Sequence, residues 1–307
     1  MSYLTEKVNL MKAEYRNKIV KENSWIDSTD EYGLILTDDL DSLLGSAILK
    51  SVKGWNIEQV MIFKASPNKQ YDYLGATANN THEVIGVDLA LTEGKCFDNH
   101  LTAFSYGQKP NPQAVNLNNL CNICRNSYRH KYNTSTVLLL WSLYDLPKEN
   151  LSEELMMLLL SIDGTQDAYY LYQGNFRGTL RKWLVDVLDL PEFYDCFERH
   201  THSDFTAIRK KYMFDPTNTG HGKIIMENGI LDTAIDIDGI NDLLAWECDV
   251  QIELPTEKFY KKAVFQDLMK DIRTQYPQSI KSITDGEVYS YALTKVGLVN
   301  YSKKIDF

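Results

Sequence analysis

The stretch Gly33-Leu-Ile-Leu-Thr-Asp-Asp-Leu-Asp-Ser-Leu-Leu-Gly-Ser46 decides the predicted fold. A short apolar run stops at three aspartates, and apolar residues then return at helical spacing. We interpret the stretch as a buried strand, a turn that carries Asp38, Asp39 and Asp41, and a helix. Carboxylates crowded at the end of a strand repel one another unless a proton or a cation lies between them, so the turn favours a divalent cation.

Three more sites follow the same pattern along the chain. The predicted strand over 83–89 carries Asp88 near its carboxyl end, the segment after Gly94 carries Asp98 and His100, and Asp163 follows a helical stripe of leucines. Ligands of open α/β sheets bind beyond the carboxyl ends of the strands. We therefore expect these side chains to meet at one edge of a parallel sheet. The expected members of this cluster are Asp39, Asp41, Asp88, Asp98, His100 and Asp163.

The types of ligand atom in this cluster limit which metal ions it can bind. Hard oxygen ligands with a single imidazole suit Mn²⁺ or Mg²⁺ better than a softer metal. Two such ions about 3.5–4 Å apart can activate a water and stabilise both oxygens in a displacement at phosphorus. The sequence therefore predicts phosphate chemistry that uses Mn²⁺ or Mg²⁺, with two ions.

Length and composition set the broader class. The chain has 307 residues, a hydrophobic content of 44% and a formal net charge of −10, which disfavours nonspecific coating of long nucleic acid. Its apolar runs are too short to span a bilayer, and its charged start does not resemble a secretory signal. The five cysteines show no disulfide-like pattern, which is typical of a reducing compartment. We expect no membrane association and a cytoplasmic location.

The order of predicted elements indicates an α/β protein with two lobes. Strands and helices alternate early, which predicts a parallel-sheet domain over 1–190. Turn-forming residues cluster at the end of a helical connector over 191–222, and a smaller mixed α/β domain follows over 223–307. Within these, 66–81 is predicted as a loop and 261–274 as a helix.

The ordered set of motifs resembles the DHH phosphoesterase superfamily, which is named after an Asp-His-His motif. Asp39-Leu-Asp-Ser42 matches its first motif, an Asp-x-Asp after the first strand, and Asp88 resembles the second. Asp98-Asn-His100 stands where Asp-His-His is expected, and Asp163 resembles the fourth motif. The match covers roughly residues 30 to 170, and its weight lies in the order of the set because each motif alone is weak.

The resemblance implies a divergent, metal-dependent hydrolase of the phosphodiesterase or nuclease type. Its implied substrates are short oligonucleotides, single-stranded nucleic acid or cyclic dinucleotides, and it allows a homodimer. Asp41, Asp88 and His100 would be catalytic. The implied metal ligands are Asp39, Asp41, Asp88, His100 and Asp163.

Two positions depart from the family pattern. Asn99 replaces the first histidine of the namesake motif, which in the family often contacts phosphate, and Thr37 stands where many members carry a metal-binding histidine. The neighbouring Asp38 could substitute as an oxygen ligand. These departures leave open a degenerate relative that binds a nucleotide or a protein partner without turnover.

Basic residues later in the chain are candidates for binding substrate. Arg177 and Arg181 could hold a phosphate with their guanidinium groups. His221 lies in a glycine-rich stretch that resembles a loop of the second domain of DHH proteins. Together with Asn99, these are the predicted substrate-binding residues.

Other interpretations of the same residues compete with this one. Asp39 could be only the N-cap of the following helix, a position that favours aspartate. Asp39 could also be the covalent nucleophile of a haloacid-dehalogenase-like phosphatase, whose first motif is similar. Cys121 and Cys124 invite a zinc site, but no second cysteine pair follows, and we expect core cysteines.

Overall fold

The computed structural model describes residues 11–63, 71–171, 175–215 and 222–305. The protein is a mixed α/β structure with a nine-stranded sheet and a separate two-stranded sheet. Its strands are β1 (Gly33–Leu36), β2 (Asn56–Ile62), β3 (Tyr71–Ala76), β4 (Val84–Val87), β5 (Cys96–Phe97), β6 (Ala114–Val115), β7 (Ile224–Glu227), β8 (Ile230–Thr233), β9 (Tyr260–Asp271), β10 (Val288–Thr294) and β11 (Leu298–Lys304).

Helices pack mainly against one face of the large sheet. They are α1 (Ala13–Glu22), α2 (Leu40–Lys53), α3 (Leu117–Leu120), α4 (Thr136–Leu143), α5 (Glu153–Ser161), α6 (Thr165–Tyr170), α7 (Asn175–Arg181), α8 (Pro191–Arg199), α9 (His202–Lys211) and α10 (Ile237–Glu247). Across the described residues, every helix is too short or too polar to cross a membrane.

The large sheet has the strand order β10-β11-β9-β3-β2-β1-β4-β5-β6. The five strands from β2 to β6 in this order pair in parallel, and the other pairings are antiparallel. All four residues of β1 are buried, as expected for a central parallel strand that is covered on both faces. The predicted α/β class and the parallel strands in the N-terminal part are confirmed. The finer, DHH-like arrangement of domains stays a prediction.

The sheet curls, so that its β10 edge returns to the loop after β4. The Tyr291 N–H donates to Ala90 O at 3.1 Å, and the Thr92 N–H donates to Tyr289 O at 3.0 Å. A small apolar cluster that includes Ile35 and Phe265 fills the inside of this curl, whereas the larger core lies on the helical face. The antiparallel strands therefore cover the face of the parallel strands that the helices leave open.

Two of the predicted elements are wrong. The stretch 261–274 is not a helix, because β9 runs through most of it and exchanges backbone hydrogen bonds with both β3 and β11. The predicted loop over 66–81 contains β3, although 66–70 lie outside the described residues. In both segments, pairing with distant strands decides the local structure, which local propensity cannot anticipate.

The C-terminal strands are not confined to a sheet of their own. β9, β10 and β11 complete the sheet that the N-terminal strands begin, and only β7 and β8 pair separately among the described strands. A wholly separate C-terminal sheet is thus excluded. The boundaries at 190 and 222 stay predictions about folding units.

Ser42 joins the carboxyl ends of two parallel strands beneath the site. Its Oγ accepts the Thr37 N–H at 2.7 Å and donates to Val87 O at 2.7 Å, and the serine is fully buried. One turn later, Gly45 lets α2 lie close to β4, since a Cβ there would be 2.9 Å from Val87 Cγ1. The helix, β1 and β4 are therefore held in a fixed relation.

We predict that Ser42→Ala lowers the free energy of unfolding by about 1–3 kcal/mol, because it leaves a buried N–H and a buried C=O without their hydroxyl partner. Urea denaturation followed by circular dichroism measures this change. Ser51→Ala on the same helix is the control, because its hydrogen bond to Asp249 O is exposed and water can replace it. Equal losses in both variants would contradict the structural role of Ser42.

Candidate metal centre

Four neighbouring parallel strands each end at a polar side chain. Asp39 and Asp41 follow β1, Asp88 follows β4, Asp98 and His100 follow β5, and Asn116 follows β6. Since these strands are adjacent in the sheet, their carboxyl ends bring the side chains to one edge. Asp163, from the short turn between α5 and α6, joins them and adds its charge to those around Asp41 and Asp88.

Asp88, Asp98 and His100 form the tightest group of possible ligands. One ligand atom from each lies within 4.8 Å of the other two. His100 Nδ1 is 2.7 Å from Asp98 Oδ1, and Asp98 Oδ2 accepts a hydrogen bond from Asn116 Nδ2 at 2.7 Å. A histidine whose one nitrogen is held by a carboxylate presents the other nitrogen to a metal. Asp98 and Asn116 thus leave Nε2 as the nitrogen of His100 that can bind a cation.

Asp41 is buried against the first turn of α4. Its Oδ2 accepts the Thr136 N–H at 2.9 Å, and its Oδ1 accepts the Val137 N–H at 2.7 Å. These two N–H groups have no partner within the helix, so the carboxylate satisfies them and the helix dipole favours its charge. The Thr136 hydroxyl also donates to Asp88 Oδ1 at 2.9 Å, which orients a second carboxylate.

Asn99 contacts Asp163 from inside the protein. Its Nδ2 donates to Asp163 Oδ2 at 2.7 Å and to Thr134 O at 3.0 Å. Its Oδ1 is buried and has no hydrogen-bond partner among the described residues. The amide therefore holds one carboxylate of the cluster in place, and the predicted direct role of Asn99 in substrate binding stays a prediction.

Lys223 neutralises the carboxylates nearest to the start of α2. Its Nζ lies 2.9 Å from Asp38 Oδ1 and 3.2 Å from Asp39 Oδ2. Asp39 is also the N-cap of α2, because its Oδ1 accepts the Ser42 N–H at 3.4 Å. Asp39 thus caps α2, its assignment as a metal ligand stays a prediction, and Asp38, which was considered as a substitute metal ligand, is paired with a lysine.

Burial and mutual repulsion make the clustered carboxylates hold protons. Burial is the main cause, and neighbouring carboxylates add to it, so that the pKa of Asp88 rises to about 8 and the pKa of Asp41 rises well above its ordinary value. The pKa of Asp163 is raised as well, because neighbouring protein atoms keep water from its carboxyl group even though the residue as a whole is exposed. For His100, burial lowers the pKa, but the charges of Asp98, Asp88 and Asp163 outweigh it and raise that pKa to about 10.

A divalent cation fits this arrangement. It would replace the protons that the clustered carboxylates otherwise retain, and the donor set of carboxylate oxygens with one imidazole is the set that Mn²⁺ and Mg²⁺ accept. Asn99 Oδ1, on the amide that donates to Asp163, is a further hard oxygen that is buried and has no partner among the described residues. The residues present are therefore suited to hold such an ion.

Two of the other predicted substrate contacts, Arg177 and Arg181, have partners elsewhere. The Arg177 guanidinium lies over the Tyr169 ring, 3.9 Å from its centroid, and Arg181 lies 3.9 Å from Asp186. His221 lies outside the described residues. The assignment of these three side chains to substrate stays a prediction.

Two other groups of possible ligands are less suited to a metal. Glu153, Cys196 and His200 lie together, but Arg199 and His200 already contact both oxygens of Glu153, at 2.7 and 2.6 Å. Cys121 and Cys124 are free thiols, and Cys124 is buried, as expected for a core cysteine.

Several residues of the site were missed or undervalued by the sequence interpretation. Asp98 was noted in its motif but not counted as a ligand. Asn116 gave the same strand-end signal as the aspartates, and Thr136 lies where a serine cap and an apolar run mark the start of a helix. Lys223 gave no local signal, because it reaches Asp38 from 185 positions along the chain.

No family model, no curated protein and no solved structure significantly matches the chain. The resemblance to DHH phosphoesterases therefore depends only on the motifs of this sequence.

We predict that the metal-free protein becomes less stable as pH rises, because a carboxyl whose folded-state pKa is raised stabilises the fold only while it is protonated. For Asp88 this contribution is lost from about pH 4 to about pH 8. Mn²⁺ at about 100 times its Kd should restore about 2.7 kcal/mol and should stabilise more at pH 8 than at pH 5. Thermal melts with EDTA or MnCl₂ measure both effects.

Asp88→Asn is the matched variant for this prediction, because it removes the titrating carboxyl while keeping the size of the side chain. Its metal-free stability should vary less across the same pH range, and its stabilisation by Mn²⁺ should be smaller. A wild-type protein whose melting temperature does not respond to Mn²⁺ at either pH would contradict the metal centre.

Proposed function

We propose that the protein is a phosphoesterase that depends on a divalent cation, Mn²⁺ or Mg²⁺, and hydrolyses phosphodiester bonds. The observation that carries this proposal is the convergence of Asp88, Asp98 and His100, with ligand atoms within 4.8 Å of one another, at the carboxyl edge of the sheet. Asp41 and Asp163 add further carboxyl groups that interact electrostatically with Asp88.

Each residue has a distinct part in this proposal. Asp88, His100 and the nearby carboxylates of Asp41 and Asp163 hold the cation. When bound, the cation lowers the pKa of a water and stabilises charge on phosphate oxygens. Asp98 fixes the ring of His100, and the Thr136 hydroxyl fixes Asp88, so that both ligands are oriented before a cation arrives.

The proposed substrate is a short oligonucleotide, a single-stranded end or a cyclic dinucleotide. The formal net charge of −10 disfavours a surface that tracks long nucleic acid by charge alone. A local positive group remains at the rim of the site, because the Lys223 side chain is half exposed beside Asp38 and Asp39. Five free thiols suit a reducing compartment, and we propose a cytoplasmic enzyme.

We predict Mn²⁺-stimulated hydrolysis by the wild-type protein of at least one member of a panel. The panel contains bis(p-nitrophenyl) phosphate, a dinucleotide, a cyclic dinucleotide, a single-stranded oligonucleotide and pyrophosphate. Asp88→Asn and His100→Ala should each lower kcat/KM about 100-fold or more, because each removes a cation ligand. Asp186→Asn, at an exposed position paired with Arg181, should hydrolyse at the wild-type rate.

Two outcomes would contradict the proposal. The first is hydrolysis that is unchanged in Asp88→Asn and His100→Ala. The second is a phospho-aspartyl enzyme trapped at Asp39, which would indicate the haloacid-dehalogenase-like mechanism. Binding of a nucleotide with no turnover at any Mn²⁺ concentration would instead favour the non-catalytic alternative.

A further inference from the structure

Lys223 joins the centre from a distant part of the chain and is held there by its backbone. The Ile224 N–H donates to Asp38 O at 2.7 Å, and Lys223 forms an isolated bridge with Asp39. On the other side, the Thr233 hydroxyl donates to Lys223 O at 2.9 Å. Because the main chain is bonded to the turn after β1, the position of the ammonium group does not depend on the ion pair alone.

The residue before Lys223 is packed so closely that only glycine fits. Gly222 has a φ of +77°, and a Cβ there would be 2.8 Å from Phe214 O. Its N–H donates to Met213 O at 3.0 Å. The approach of the chain to Asp38 and Asp39 is therefore fixed on both sides of the lysine.

The ammonium divides the acidic cluster into two parts. Asp38 and Asp39 contact Lys223, and the other carboxylate oxygen of Asp39 accepts the hydrogen bond that caps α2. Asp88, Asp98 and His100 form a second group whose ligand atoms lie together, and the negative charge of Asp39 still acts on Asp88. A divalent cation placed between Asp38 and Asp39 would meet the positive charge of Lys223 at short range and be repelled.

We propose that the Lys223 ammonium takes the place of a second divalent cation, so that the centre binds one divalent cation and uses Lys223 as its second positive charge. This inference rests on the proposed phosphoesterase function. It replaces the expectation of two ions, and it removes Asp39 from the ligand set.

The lysine is also placed to meet a substrate. Its ammonium has three N–H donors, and the contacts with Asp38 and Asp39 use two of them. The side chain is 50% exposed, so its remaining donor is accessible to a phosphate oxygen that binds beside the cation. Unlike a second metal ion, this charge does not dissociate when the metal concentration falls.

Counting the bound ions tests this inference directly. Equilibrium dialysis against MnCl₂, followed by metal analysis, gives the number of Mn²⁺ ions per folded chain, with circular dichroism as the check on folding. We expect one ion in the wild type and in Lys223→Arg, which keeps the charge. We expect two in Lys223→Gln, because the freed carboxylates of Asp38 and Asp39 then attract a second ion.

Asp39→Asn provides a test that does not depend on replacing the lysine. It should bind one Mn²⁺ ion with a much smaller loss of affinity than Asp88→Asn, which should bind the ion about tenfold more weakly or worse. Two ions in the wild type, one ion in a folded Lys223→Gln, or equal weakening by the two aspartate variants would each overturn the inference. Two ions together with Mn²⁺-dependent hydrolysis would leave the proposed function intact, whereas a wild type that binds no ion would remove both.

Discussion

Repulsion among carboxylates that the fold forces together is the constraint on which the rest of this structure depends. Parallel pairing of β1, β4 and β5 brings the aspartates that follow them to one edge. Burial there raises the pKa of Asp41 and Asp88, so the charges cannot all form without compensation. Carboxyl groups with strongly raised pKa values are typical of functional sites, where the perturbed groups take part in binding or chemistry.

The repulsion among these carboxylates is compensated in three ways. The first turn of α4 donates two backbone N–H groups to Asp41. Lys223, which lies 185 positions after Asp38, pairs with Asp38 and Asp39. The remaining group is Asp88 with Asp98 and His100. Among the residues whose charges act most strongly on Asp88, His100 is the positive one. We therefore expect the cation to bind at this last group.

Local sequence predicted the parts of the site that depend on strand ends and helix starts. The apolar run before Asp38, the cap at Asp39 and the aspartate after β4 are local signals, and the structure contains all three. The pairing of β9 with β3 and the ion pair of Lys223 are not local. A stretch such as 261–274 can form either a helix or a strand, and only the unpaired edges of distant strands decide between them.

Anomalous diffraction from crystals grown with MnCl₂ would test the central claim most directly. The account predicts one strong manganese peak within ligand distance of Asp88 and His100 Nε2, with the Lys223 ammonium still paired with Asp38 and Asp39. A map without manganese at this edge of the sheet, or with the metal bound only elsewhere on the protein, would contradict it.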